Sequence, residues 1–120
     1  MTGSRSWSDR SAVITGLDLV AEEFDYSGLV VVHGACPTGV DSMAAAWARV
    51  RLGRGVREER WPADWARFGR SAGPRRNQVM VDRGAAVCVA FPLGRSVGTR
   101  DCMRRAAAAG IRVDDFGAQR

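Results

Sequence analysis

Leu29-Val30-Val31-Val32-His33-Gly34-Ala35-Cys36-Pro37-Thr38-Gly39-Val40-Asp41 decides the fold. A short β-branched run ending at His33-Gly34 reads as a buried strand, and it feeds a glycine-bearing loop. Beyond the loop, Val40, Met43, Ala44, Trp47 and Ala48 fall on one helical face, while Thr38 with Asp41 three residues later has the spacing of a capping box. Glycine lets a backbone approach a ligand closely, and the free N–H groups and positive dipole end of the following helix attract an anion. The stretch is therefore one strand-loop-helix unit of a phosphate-handling α/β domain.

Two more loops share this wiring. Phe91-Pro92-Leu93-Gly94-Arg95-Ser96-Val97-Gly98-Thr99 follows Ala85 to Phe91, the clearest buried strand, and precedes an alanine-rich helix from Thr99 to Ala109 that Gly110 stops. Thr2-Gly3-Ser4-Arg5 precedes a first helix capped at Ser8-Asp9, with Val13, Leu17, Val20 and Phe24 at helical spacing and Gly28 closing the segment. The second helix runs to near Gly53. Val56 to Trp61 is a charged strand suited to a sheet edge, ended by Pro62. The segment from Ala63 to Gly73 is irregular, Pro74 then starts a helix from Arg75 to Arg83, and Ile111 to Val113 begins a last strand. Alternating strands and helices imply a mostly parallel sheet with right-handed crossovers in a Rossmann-like three-layer α/β domain. Its ligand would lie outside the carboxyl ends of the strands, where the three loops meet.

The 120 residues fit one domain, expected over 1–116 with a frayed tail over 117–120. Cys36, Cys88 and Cys102 are odd in number and lack CxxC spacing, so neither a disulfide framework nor a metal site is expected. A cytoplasmic setting follows by default, without a leader or a membrane span. The net charge of +5 favours a polyanionic partner. All the basic side chains are arginine, which with the abundant alanine looks partly like coding bias; even so, the guanidinium fork binds phosphate bidentately.

Thr2 to Arg5 with Trp7 and Asp9, His33-Gly34 to Asp41, Pro62-Ala63-Asp64-Trp65, Ala72-Gly73-Pro74-Arg75-Arg76-Asn77 with Met80, and Phe91-Pro92 to Gly98-Thr99 occur in an order that resembles the YspA-like, cpYpsA-related branch of the SLOG superfamily. The resemblance implies a Rossmann-like nucleotide-binding domain, with phosphoribohydrolases, DNA-processing proteins and nucleotide sensors among its relatives. Homodimers are common among them. The family places a hydrophobic first strand before Thr-Gly-Ser-Arg, where this chain has only Met1, so the first strand is expected to be missing. Its loss would leave unpaired N–H and C=O groups on both neighbouring strands, each costing about 1–3 kcal/mol if buried. The expectation is a native start upstream of Met1, or a truncated copy.

The expected ligand is a nucleotide or an ADP-ribose-like molecule, with no separate cofactor. Gly3, Ser4 and Arg5 would hold its phosphate, unless they form only a tight turn with a solvated arginine. Gly34, Thr38, Gly39 and Asp41 would cradle phosphate or ribose, unless they only cap a helix. Arg75, Arg76 and Asn77 open a helix toward the same crevice, Arg76 being the inward arginine. Trp65 would either stack on a base or pack its own loop. His33 is more often a packed strand end than a proton shuttle, and Cys36 a tolerated small residue rather than a nucleophile.

Gly94, Ser96, Gly98 and Thr99 resemble the phosphoribohydrolase Pro-Gly-Gly-x-Gly-Thr loop, with Leu93 in place of a glycine and a longer spacing. The glutamate that those enzymes place three residues past the threonine is here Cys102, and Asp101 points about 100° away on a helix. No catalytic residue is assigned; the candidates are Asp101, Asp41 and Arg76. The first reading is a sensor or ligand-binding module. The alternatives are a nucleoside-monophosphate phosphoribohydrolase and a single-stranded DNA-binding module.

Overall fold

The computed structural model describes residues 1–117. In chain order the elements are β1 (Thr2–Gly3), α1 (Arg10–Phe24), β2 (Val30–His33), α2 (Gly39–Val50), β3 (Arg57–Arg60), α3 (Trp65–Phe68), α4 (Ala72–Arg83), β4 (Val87–Phe91), α5 (Val97–Ala108) and β5 (Arg112–Asp115), with 3-10 turns at Leu52–Arg54 and Gly69–Ser71. Every strand pair is parallel. The fold is mixed α/β and Rossmann-like, as its alternating pattern implies.

Where the first strand was expected to be missing, the structure has a strand of two residues. Thr2 and Gly3 pair with Ala90 and Phe91, which puts β1 beside β4 and β4 beside β5. β2 pairs only with β3, so the sheet is divided into a three-stranded and a two-stranded part. One bond spans the division near its top, from the Met1 ammonium to the Val32 carbonyl at 2.6 Å. Read across that bond, the order is β3-β2-β1-β4-β5, and the topological switch point lies between β1 and β4.

Helices cover both faces. Val13, Leu17 and Val20 of α1 and Val40, Ala44, Trp47 and Ala48 of α2 pack with Val31, Val89 and Phe91 into the larger core. Phe91 is fully buried, stacked on Phe116 with centroids 5.5 Å apart and edge-on to Trp7 at 5.4 Å. On the other face Val81, Cys88 and Ala106 form a smaller cluster with Ile111 and Val113. The charged sequence of β3 suits its position at the sheet edge, where Glu59 reaches Arg83 at 2.7 Å.

Several local expectations need correction. The segment from Ala63 to Gly73 contains the short helix α3, capped by Asp64 accepting from the Arg67 N–H. α4 begins at Ala72, so Pro74 lies within its first turn, where an N–H is unpaired in any case. Thr38 provides no side-chain cap to α2. Of the tail expected to fray, Gly117 donates its N–H to Asp115 Oδ1 at 2.8 Å, and residues 118–120 lie outside the described residues. No helix among the described residues is long and apolar enough to cross a membrane.

Candidate functional site

A cavity of about 330 Å³ opens at the carboxyl ends of β1, β2 and β4, the position that a switch point favours for ligands. Gly3, Ser4 and Arg5 line it from the first loop, Gly34 and Asp41 from the second, and Ser96, Gly98 and Thr99 from the third, with Arg76 and Asn77 reaching in from α4.

Backbone bonds tie the first two loops together. Ser4 donates its N–H to Phe91 O at 3.1 Å, and its own carbonyl accepts from Val40 at 3.2 Å and Trp7 at 3.3 Å. Thr38 turns from the cavity and donates its hydroxyl to Arg5 O at 3.1 Å, so it joins two loops instead of capping α2. Gly39 is needed beneath this joint: its φ is +70°, and a Cβ there would collide with the Ser4 carbonyl. The second loop rests on His33, which is fully buried. Its Nδ1 accepts the Ala35 N–H at 3.0 Å, which places the ring proton on Nε2, 2.6 Å from Glu58 Oε2. Burial pushes the Glu58 carboxyl up, but hydrogen bonds from His33 and Arg49 outweigh it and hold its pKa below the ordinary value. His33 thus braces the loop, and Ala35 keeps a φ of +60° beside it.

Arg76 lies across Gly34. Its Nη1 donates to Gly34 O at 2.6 Å and Trp61 O at 3.2 Å, and its Nε to Asn77 Oδ1 at 3.0 Å. A Cβ on Gly34 would overlap that guanidinium, so glycine is required there by close approach. These bonds leave Nη2 without a partner among the described residues, and exposed Arg5 makes no ion pair among them. Among the described residues Asp41 is the only carboxylate residue that lines the cavity, and it is mostly buried; its Oδ2 accepts the Cys36 N–H at 3.2 Å.

Other candidates lie elsewhere. Arg75 turns outward, bonded to Ser71 and stacked 4.5 Å over Phe68. Gly94, Thr38 and Gly39 are not part of the cavity lining. Trp65 is half-exposed, outside the lining, and packs over Gly73. Asp101 also stands outside it, held by Asn77 Nδ2 at 3.0 Å and Arg105 Nε at 2.9 Å; burial raises its pKa, and these two bonds outweigh it and keep the carboxyl ionised below its ordinary range. Asn77 spends its amide on Asp101, Gly98 O and Arg76. Cys102 is buried outside the lining, and its interaction with the neighbouring Cys88 thiol draws its pKa below the ordinary thiol value. Residues not anticipated in the lining include Thr2, Met80, Leu93 and Val97. Met80, four residues past Arg76, shares its helix face, which is a signal the sequence does carry.

This geometry defines a Rossmann-like α/β protein with an anion-suited crevice at its switch point. The chain belongs to the YspA, cpYpsA-related SLOG family, whose match covers residues 1–68 and so includes the first two loops and the Pro62–Trp65 segment. It is also similar to the Gene 61 protein of Mycobacterium phage D29, at 51% identity over 121 residues, covering 98% of this chain and 94% of that protein. No solved structure matches it.

Proposed function

We propose that the chain is a ligand-binding module for a nucleotide or nucleotide-derived molecule, with the phosphate seated between the first loop and the start of α5. The observation that supports this most is the convergence of three glycine loops on one cavity that also holds Arg5 and the unpartnered Nη2 of Arg76. Phosphate would take the Arg5 N–H of the first loop, whose Ser4, Ser6 and Trp7 N–H groups are already bonded, and those of the first turn of α5, with both guanidinium groups neutralising its charge. Met80, Leu93 and Val97 offer apolar surface to a base.

Calorimetric titration with AMP, ADP, ADP-ribose and NAD tests this reading. One of them should bind in a manner tolerant of salt and weakened by Arg5→Ala; no binding by any of the four sinks it. A hydrolytic reading rests on Asp41, the carboxylate residue at the cavity. Release of ribose 5-phosphate from a nucleoside monophosphate, abolished in Asp41→Asn, would establish it.

A further inference from the structure

Asp41 is only half used by the fold. It is 8% exposed, and its Oδ2 accepts the Cys36 N–H at 3.2 Å, which ties the second loop to the first turn of α2. Oδ1 has no partner among the described residues and is not sealed from solvent, so it opens on the cavity that Asp41 lines. Burying a carboxylate is unfavourable unless donors meet it, and here the protein supplies one of the several it can take. Arg76 does not supply another. The two side chains flank Gly34: Asp41 Oδ2 lies 3.1 Å from the point that a Cβ there would occupy, and Arg76 Nη1 lies closer still. Yet Nη1 is spent on the Gly34 and Trp61 carbonyls, and no ion pair joins Arg76 to Asp41 among the described residues. The wall around Gly34 therefore offers a free acceptor, Asp41 Oδ1, and a free donor, Arg76 Nη2.

Phosphate oxygens do not suit the acceptor, since they only accept and the carboxylate repels them. A hydroxyl suits both groups, because its O–H donates to the carboxylate while its oxygen accepts from the guanidinium. With phosphate between the first loop and α5, this second-loop wall is left to the sugar. We propose that the ligand is a ribonucleotide, selected over its deoxy forms by a hydrogen bond from a ribose hydroxyl to Asp41 Oδ1. The inference rests on the nucleotide reading and narrows it. A deoxy ligand would cover Oδ1 without donating to it, and a site built to bond a hydroxyl strongly rejects the analogue that lacks it.

Calorimetry with AMP and ADP, each beside its 2′-deoxy and 3′-deoxy forms, tests this on the parent chain, Asp41→Ala and Asp41→Asn. Asp41→Asn keeps an acceptor for the Cys36 N–H, which guards against a loop that Asp41→Ala has simply undone. The parent should bind the ribose form about 10–100-fold more tightly than at least one deoxy form. In the variants that preference should fall to about threefold or less, with affinity lost for the ribose form alone. Equal binding of ribose and deoxy forms by the parent overturns the inference and leaves the nucleotide reading standing. Equal losses for all forms in both variants overturn it by reducing Asp41 to a brace of the second loop. Tighter binding of every form does so by reducing it to a repulsive neighbour. If neither nucleotide binds in any form the inference falls, and ADP-ribose and NAD then decide the broader reading.

Discussion

Replacing Arg76 removes its bracing bonds and its charge together, and comparison with Arg5, which carries charge without bracing, tells the two apart. In Arg76→Met the stem remains, while the donors to Gly34 O, Trp61 O and Asn77 Oδ1 are lost. A bond from a charged donor is worth about 1.5–3 kcal/mol when its acceptor is left dry, but all three here are partly buried and water can replace much of each, so about 1 kcal/mol apiece is the working figure. The sum, about 2–3 kcal/mol, should lower Tm by roughly 10 °C in a domain of this size. Arg5→Ala is the paired control. Arg5 is exposed and makes no side-chain bond among the described residues, so this variant should melt within about 2 °C of the parent. Both should weaken a phosphate-bearing ligand, Arg5→Ala by about 10–100-fold, which is the loss of one charge-assisted contact. The assays are thermal denaturation and calorimetry on both proteins. If Arg76→Met melts within about 2 °C of the parent, the bracing argument is wrong, because the three bonds then carry no net stability.

Acid should unfold the protein partly through Glu58 and Asp101. Both carboxyls sit below their ordinary values of 4.5 and 3.8, so their contribution is complete above those values and is lost as pH falls through the lower folded ones. Asp101→Asn should flatten the fall in Tm below about pH 4 in a melt series, and an unchanged slope would remove Asp101 from the account. Phe91→Ala should cost about 3–5 kcal/mol in urea denaturation, since the ring is fully buried between Trp7 and Phe116. Asp18→Ala deprives Trp47 Nε1 (2.9 Å) and Arg51 Nη2 (3.2 Å) of one shared acceptor, and should cost about 1–3 kcal/mol in the same assay.

The strands were legible from continuous apolar runs, at Val87 to Phe91, where burial explains the run, and at Val30 to Val32, where Val31 is buried but Val30 is exposed beside the division of the sheet; the second and third loops were legible because each follows such a run. Boundaries shifted by one to three residues, and capping was settled by distant groups. Thr38 has the spacing of a cap, yet its hydroxyl is taken by the Arg5 carbonyl, a partner 33 positions away that no local pattern records. Asp101, a catalytic candidate from its place in the third loop's helix, lies outside the cavity lining, and its capture by Asn77 and Arg105 depends on how α4 meets α5. Helical phase sets Arg75 and Arg76 about 100° apart, and the packing of α4 decides that Arg76 lines the cavity while Arg75 lies over Phe68. That β1 would be short was readable from the single residue ahead of Thr2; the division of the sheet into two parts required three-dimensional contacts.

That division gives the crevice a mechanical meaning. Gly34 and Asp41 follow the two-stranded part, while Gly3, Ser4, Gly98 and Thr99 follow the three-stranded part, so the cavity straddles the seam. A molecule gripping both banks acts as a clasp, and the two rafts of strands can then no longer drift apart without releasing it. Occupancy would be felt far from the ligand, as slower amide exchange at the foot of β2 and β4.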